Sequence, residues 1–268
     1  MTSAELPLSA VAFDTIAATF DDRFGAWQSV AAQRRAVREE LANAFPPGAS
    51  VLEIGGGTGE DAIWLAERGR SLLLTDISPR MVRRAQVKFA GRPRLRAKVA
   101  AAENLDALGL AEDRFDGAFS NFAALNCVEN LAPVARGLAH LVPPGGNVIL
   151  VIFGTCCPGE WIVEALRDRP GAMFRRFRRT PVRARLGGKE FAVRYFRTAE
   201  LVSAMAPWFE YAGRRGIGVF VPPSAAEPWI TRHPRLLRAL ERLDRRLSKP
   251  FAGLGDHVLH RFVRRTDG

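Results

Sequence analysis

The stretch Val51-Leu-Glu-Ile-Gly-Gly-Gly-Thr-Gly-Glu60, followed by Leu72-Leu-Leu-Thr-Asp-Ile-Ser78, decides how this chain folds. An apolar run carrying Glu53 passes into a glycine-rich turn, a helical pattern follows, and a second apolar run ends on Asp76. Glycines at 55, 57 and 59 let the main chain turn sharply and approach a ligand with no Cβ in the way. The pattern from Asp61 to Gly69, with apolar Ile63, Leu65 and Ala66 and a closing glycine, predicts a helix whose N-terminal amides face that ligand. Asp76, at the carboxyl end of the second run, is placed to accept both hydroxyls of a ribose. An α/β sheet builds a nucleoside site in this way.

Outward from this unit, periodicity predicts helices near Val30–Phe45, Asp61–Arg68, Pro79–Phe89 and Ala132–Leu141. They alternate with strands near Ser50–Ile54, Leu72–Asp76, Arg94–Ala100, Phe115–Ser120 and Val148–Phe153. The alternation implies a parallel sheet with helices on both faces. After the fifth strand the pattern changes. A short helix is expected over Glu160–Leu166, a hairpin over Val182–Phe196 turning at Gly187-Gly188, a helix from an N-cap at Thr198 to Met205, and a sixth strand over Gly216–Val221. An amphipathic helix, Pro234–Leu247, precedes a last strand at Val258–Val263.

Spacing decides which nucleoside. A dinucleotide fingerprint needs Gly-x-Gly-x-x-Gly, and the sixth position counted from Gly55 is Glu60. The chain reads instead as Glu-x-Gly-x-Gly-x-Gly from Glu53, and here it resembles the class I S-adenosylmethionine-dependent methyltransferases. The resemblance runs over roughly Phe13 to Phe153. It includes Ala101-Ala-Glu-Asn-Leu105, similar to the family's Asp-Ala-Glu-Asn-Leu stretch, and Phe115-Asp-Gly-Ala-Phe-Ser-Asn121 and Leu141-Val-Pro-Pro-Gly-Gly-Asn-Val-Ile-Leu150, which look like strand four and the turn into strand five. The family fold is a doubly wound, Rossmann-like sheet of seven strands, mostly parallel, with an antiparallel last strand. A lid over residues 1–48, a donor core over 49–154, a small α/β cap over 155–197 and a return to the core over 198–268 are the expected divisions.

The resemblance implies S-adenosyl-L-methionine as cofactor, with Glu53 at the methionine amino end and Gly55, Gly56, Gly57 and Gly59 beneath the ligand. Asp76 would hold the ribose and Ile77 pack on adenine. Ala102, Glu103 and Asn104 would lie at the adenine edge, with Asn121 near the transferable methyl and Phe13 and Phe20 covering the methionine part from the lid. Where relatives place an acid, this chain has Ala101, which leaves the adenine amino group to Glu103, main chain or water. Asn121 and Asn126 read equally as helix caps.

Methyl transfer from a sulfonium needs orientation and exclusion of water more than acid–base help. If the acceptor is a hydroxyl, phenol or amine, His257, oriented by Asp256, is the first candidate base and Tyr195 the second. A histidine at a strand start reads also as a structural residue. His140 complements its helix C-terminus, and no metal site is expected.

Forty-seven per cent hydrophobic residues over 268 positions suit one domain with a large core. Cys127, Cys156 and Cys157 are too few and wrongly spaced for a disulfide framework, and no apolar run is long enough to span a bilayer, which points to a reducing cytoplasm. Residues 161–268 carry 23 Lys or Arg against 10 Asp or Glu, a balance of +13, while residues 1–160 carry −2. The basic excess thus lies in the part that varies with the methyl acceptor in this family. Aromatic residues there, among them Trp161, Phe191, Phe196, Trp208 and Trp229, point to a small apolar or lipid-like acceptor methylated at oxygen or nitrogen.

Four further readings stay open. The leucine and arginine faces of Pro234–Leu247 suit either a surface helix or an anionic membrane, which would place the protein peripherally at the inner membrane face. Met173-Phe-Arg-Arg-Phe-Arg-Arg179 could meet RNA through phosphate contact and stacking, although Asn121-Phe-Ala-Ala124 lacks the prolines common in RNA base amino methylation. Methylation of a protein side chain, or a non-catalytic scaffold that keeps the ligand, completes the set.

Overall fold

In the computed structural model, which describes residues 6–109 and 115–266, three helices precede the first strand: α1 (Leu8–Ile16), α2 (Phe20–Gly25) and α3 (Gln28–Ala44). Then β1 (Ser50–Ile54), α4 (Glu60–Ala66), β2 (Ser71–Asp76), α5 (Pro79–Phe89), β3 (Leu95–Val99), β4 (Gly117–Ser120), α6 (Leu131–Leu141) and β5 (Asn147–Phe153) alternate as expected. The variable part comprises α7 (Pro158–Leu166), α8 (Pro170–Met173), the hairpin β6 (Val182–Leu186) and β7 (Lys189–Val193), and α9 (Thr198–Met205). The chain closes with β8 (Phe209–Ile217), α10 (Pro234–Leu247) and β9 (His257–Arg264).

Seven strands form one sheet in the order β3-β2-β1-β4-β5-β9-β8. β1 to β5 are parallel, and β9 runs antiparallel between β5 and β8. Strand order reverses between β1 and β4, so the carboxyl ends of these neighbours open a crevice where α/β sheets bind ligands.

Two apolar layers cover the sheet. On one face α6 buries Leu131, Val134, Ala135, Leu138 and Leu141 at three- and four-residue spacing against Leu52, Ile54, Leu150 and Phe262. Asn130 starts that helix by accepting from the Ala132 N–H at 2.9 Å. On the other, Val37 and Leu41 of α3 meet Leu65, Val82, Phe89 and Val151. Truncating one such buried leucine costs about 2–5 kcal/mol.

Two expectations are corrected. The sixth strand is Phe209–Ile217 rather than Gly216–Val221, because Gly218 takes φ +68° and ends the extended run, while a bulge between Tyr211 and Gly213 breaks the alternation upstream. Thr198 opens α9 as its first residue; the preceding Arg197 takes the cap position, its N–H donating to Glu200 Oε2 at 2.8 Å. The N-terminal helical segment also has two distinct placements. α1 and α2 lie over the crevice, whereas α3 packs into the second apolar layer; residues 1–5 of the expected lid lie outside the described residues. The hairpin β6–β7 rests on α1, with Gly187 so close to Thr15 and Ile16 that a Cβ there would come within 2.9 Å of Ile16.

Candidate active site

Each glycine of the turn has its own physical reason. Gly55 takes φ +67°, and a Cβ on it would lie 2.2 Å from the Cβ of Ala124, while a Cβ on Gly56 would meet Leu74 at 2.6 Å and the Glu53 carboxyl carbon at 2.7 Å. Gly57 also takes a positive φ, of +57°, but stands in open space. Gly59 serves packing instead. At φ +85° it precedes α4, and a Cβ would strike the ring of Phe89 at 2.6 Å, so it lets the helices approach and does not face the crevice.

Above the turn lies a cavity of about 870 Å³. It is walled by Glu53, Gly55–Gly57, Asp76, Ile77, Ala102–Asn104 and Asn121 on the sheet side, and by Phe13 and Phe20 of the lid. Toward the variable part the wall becomes apolar, with Phe153, Val182, Phe191, Val193 and Tyr195, and Arg175, Arg183 and Arg185 beside them. Phe13 and Phe191 bridge lid and hairpin at 5.9 Å between ring centroids. The expected cofactor residues thus converge on one space, Gly59 excepted.

Glu53 is 2 % exposed, and its Oε2 has no hydrogen-bond partner. Burial, aided by the charge of Asp61, pushes its carboxyl well above the ordinary range, against the opposing pull of Arg34 and Arg38. An orphaned acid on the wall of a cavity is suited to an ammonium group. Asp76 is also raised by burial, and its two oxygens accept from the N–H groups of Gly57 and Ser78, each at 2.9 Å. These bonds fix the carboxylate and leave lone pairs for two hydroxyls. The donor set therefore fits an amino-acid-bearing nucleoside.

On the cavity wall, Asp61 accepts from Arg38 Nε at 2.7 Å, Asn121 Nδ2 at 2.8 Å and Arg34 Nη1 at 3.2 Å. Burial alone would raise Asp61, but these partners outweigh it and hold the carboxyl below its ordinary value. Asn121, whose Oδ1 also accepts from the Phe122 N–H at 2.7 Å, commits its amide to Asp61 and to its own turn. Phe122 and Ala123 follow with φ of +48° and +60°, a turn that non-glycine residues rarely make, and the Arg34 guanidinium lies 4.7 Å over the Phe122 ring. None of Asp61, Arg34 and Arg38 belongs to the motifs that mark the donor site; the available signal is a pair of arginines at i and i+4 on α3 with an acid at the start of α4.

The acid–base candidates separate. Tyr195 lines the apolar end, 9 % exposed, its phenol raised by burial and its hydroxyl without a hydrogen bond to the described residues. His257, by contrast, lies outside the cavity wall. Its ring stacks behind Phe153 at 4.9 Å and meets the edge of Phe122 at 5.7 Å. Burial holds it below its ordinary value and so neutral, and Asp256 at 3.5 Å from Nδ1 is too distant to orient it by a hydrogen bond. A base role for His257 would need Phe153 or Phe122 to move. Asn126 joins Phe153 N–H to the Arg194 carbonyl, tying the hairpin exit to β5. His140 pairs with Asp106 at 2.9 Å near the end of α6.

Arg176, read in sequence as part of a basic RNA-binding cluster, is 4 % exposed. It bonds Glu160 and reaches the Asp256 carboxylate at 2.7 Å, and its guanidinium lies 5.2 Å over Phe153. Arg175 also bonds Glu160. These two arginines are thereby paired within the protein, and they anchor the cap beside the apolar wall.

Residues 51–146 match the family model of the methyltransferase domain. The core is a class I methyltransferase domain, of the S-adenosylmethionine-dependent kind. Among curated proteins the chain is 36% identical over 100 residues to a malonyl-[acyl-carrier protein] O-methyltransferase of Pseudescherichia vulneris, covering 37% of each chain. It is 28% identical over 143 residues to a ubiquinone/menaquinone biosynthesis C-methyltransferase of Acidiphilium cryptum, covering 53% of this chain and 57% of that one. The matches thus span from about a third to just over half of those relatives' lengths. In fold, an S-adenosylmethionine dependent methyltransferase from Mesorhizobium loti superposes with a TM-score of 0.54 at 22% identity, over 87% of this chain and 98% of that one. A chain from the complex of the Haloferax volcanii Trm112 methyltransferase activator with a methyltransferase gives a TM-score of 0.58 at 18% identity, over 98% and 100%. The matched residues include the glycine turn, Asp76 and Ala102–Asn104 of the cavity wall; the lid, the cap and β8–β9 lie beyond the matched domain.

Proposed function

We propose that the protein transfers a methyl group from S-adenosyl-L-methionine to an oxygen or nitrogen of a small, largely apolar acceptor. The observation that carries the reading is the continuity of one cavity from Glu53, the glycine turn and Asp76 to the wall of Phe13, Phe153, Phe191, Val193 and Tyr195. One end offers acids and bare main chain; the other offers rings and aliphatic groups with Arg175, Arg183 and Arg185 beside them. The O-methyltransferase relative supports a small or carrier-borne acceptor, and it does so from a match over part of its length.

S-Adenosylmethionine, when bound, supplies an electrophilic methyl on a cationic sulfonium. The chain's own part is to hold and exclude. Glu53 receives the amino group, whose positive charge favours the ionised carboxylate that burial opposes. Asp76, preset by the Gly57 and Ser78 amides, receives the ribose hydroxyls, and Ile77 with Ala102–Asn104 forms the adenine slot. Phe13 and Phe20 close over the methionine part, and Phe153 and Phe191 exclude water from the acceptor atom. Tyr195 presents its hydroxyl to the acceptor as a hydrogen-bond partner that holds the nucleophile in place; an ionised oxygen attacks with no proton to lose, and a neutral amine attacks first and releases its proton to solvent after the methyl has moved and S-adenosylhomocysteine has left.

Transfer of label from methyl-labelled S-adenosylmethionine tests the reading, with lipid extract, polar metabolites and RNA offered to the purified protein as separate fractions and Asp76→Ala as control. Label in the lipid or metabolite fraction, absent from the control, is the expected result. Label confined to RNA or protein refutes the acceptor class, and donor binding with no transfer to any fraction refutes catalysis.

A further inference from the structure

Helix α7 is amphipathic the wrong way round for a surface helix. Its inward face carries acids, Glu160 at 1 % and Glu164 at 5 % exposure, while its outward face carries Ile162 at 62 % and Leu166 at 83 %. Of the inward acids, Glu160 is bonded by Arg175 and Arg176, and Glu164 lies 4.0 Å from Arg167. The outward isoleucine and leucine have no such explanation in the fold. Beside them Phe174 and Phe177, 59 % and 43 % exposed, form a triangle with Trp161 whose ring centroids are 6.0–6.3 Å apart. Scattered apolar residues are normal on a surface, but four of this size within sixteen positions form a patch that calls for a partner.

Charge identifies the partner. Because Glu160 and Glu164 point inward, the cap segment shows the solvent Arg167, Arg169, Arg178 and Arg179 against Asp168. The adjoining helix α10 repeats the arrangement. Its Asp244 is buried, accepting from the N–H groups of Phe220 and Val221, and Glu241 is held by Arg35. Five exposed arginines between 235 and 246 remain around Leu236 and Leu243. Val163 of α7 and Leu240 of α10 each pack against one apolar cluster, which includes Ile230 and Leu237. Apolar tips ringed by arginines, with the acids withdrawn, match an anionic bilayer surface: rings and aliphatic groups enter the acyl boundary and guanidiniums meet phosphates.

We propose that α7 and the Phe174–Phe177 turn, flanked by α10, dock this protein on an anionic membrane surface. The docking face adjoins the cavity at Arg175, which lies within the Phe174–Phe177 turn and also on the cavity wall, so an acceptor dissolved in the bilayer would have a short path inward; the docking itself does not depend on which acceptor is methylated.

Sedimentation of the full chain with vesicles tests this. Phosphatidylcholine vesicles containing phosphatidylglycerol should bind the protein, vesicles of phosphatidylcholine alone should bind it at least about tenfold more weakly, and added salt should release it. The exposed pair Ile162→Ser with Leu166→Ser should lower the partition by roughly tenfold or more while leaving melting temperature and S-adenosylmethionine binding unchanged. Wild type that ignores anionic vesicles, or a double variant that binds them as well as wild type, overturns the proposal. So does a wild-type dimer in solution that the double variant dissolves, since a second copy would then cover the face. Tighter binding to single-stranded RNA than to the vesicles, lost with the same pair, overturns it as well.

Discussion

Replacing Glu53 by glutamine should move stability and donor affinity in opposite directions. In the ligand-free protein the Glu53 carboxyl is buried with Oε2 unpartnered, and burial with the neighbouring Asp61 raises it well above the ordinary range. A buried polar atom left without a partner costs about 1–3 kcal/mol, and each kcal/mol is worth about 2 °C of melting temperature in a chain of this size. The variant should therefore melt about 2–6 °C above wild type where the wild-type carboxyl is being forced to ionise. A raised carboxyl binds its proton more tightly in the folded than in the unfolded chain. Its favourable contribution is complete below the unfolded value and is lost as pH rises through the raised folded value. Glutamine does not titrate, so the gap between variant and wild type should be small at acid pH and widen toward alkaline pH. Donor binding should weaken in the variant by about ten- to a hundredfold, the worth of one charge-assisted hydrogen bond to an ammonium. Scanning calorimetry across pH and titration calorimetry with S-adenosylmethionine measure the two halves. A variant that is less stable at alkaline pH, or a gap that narrows as pH rises, refutes the account of Glu53 as an acid strained by burial; unchanged donor affinity refutes its role toward the amino group.

Gly56→Ala would put a Cβ 2.6 Å from Leu74 and 2.7 Å from the Glu53 carboxyl carbon, so donor binding should fall at least about tenfold while the fold persists, as circular dichroism and equilibrium dialysis can check. Arg176→Met strips Glu160 and Asp256 of their buried cation and should destabilise by about 3–5 kcal/mol in urea unfolding; a loss under about 1 kcal/mol would show the pairs to be dispensable. Tyr195→Phe removes a hydroxyl with no hydrogen bond to the described residues and should change stability by less than about 1 kcal/mol, while raising KM or lowering kcat for the identified acceptor. His257→Asn should lower the melting temperature through lost stacking on Phe153, yet leave the pH dependence of transfer in place, because the ring stands behind the cavity wall.

Legibility in the sequence followed distance along the chain. Glu53, the glycine turn and Asp76 lie within one β-α-β unit, so spacing alone brought them together, and the element order from Ser50 to Phe153 carried the sheet. The partners of Asp61 were hidden because Arg34 and Arg38 come from a helix 27 and 23 residues earlier, and nothing local tells an arginine bound to a buried acid from one in water. The pairing of Arg176 is hidden for the same reason: its partner Asp256 is 80 residues away. Gly59 matched the motif by position but answers to Phe89, a contact set by how α4 and α5 pack. The strand Phe209–Ile217 escaped because a bulge and exposed arginines erase its period of two. Phe13, Phe191 and Tyr195 stand out singly in the sequence, but that they meet one another and Phe153 on one wall is set only in the folded chain.

The first helix belongs to both ends of the cavity. Asp14 of α1 accepts from the Ser78 hydroxyl and from the Arg80 N–H at 3.0 Å, one turn from Asp76, while Thr15 and Ile16 of the same helix carry Gly187 of the hairpin and Phe13 meets Phe191. One helix of nine residues thus touches the glycine-turn end of the cavity and the hairpin at its other end. A displacement of α1 would break the Asp14 bonds and the hairpin contacts together, so on the proposed reading both ends of the cavity would open in one event.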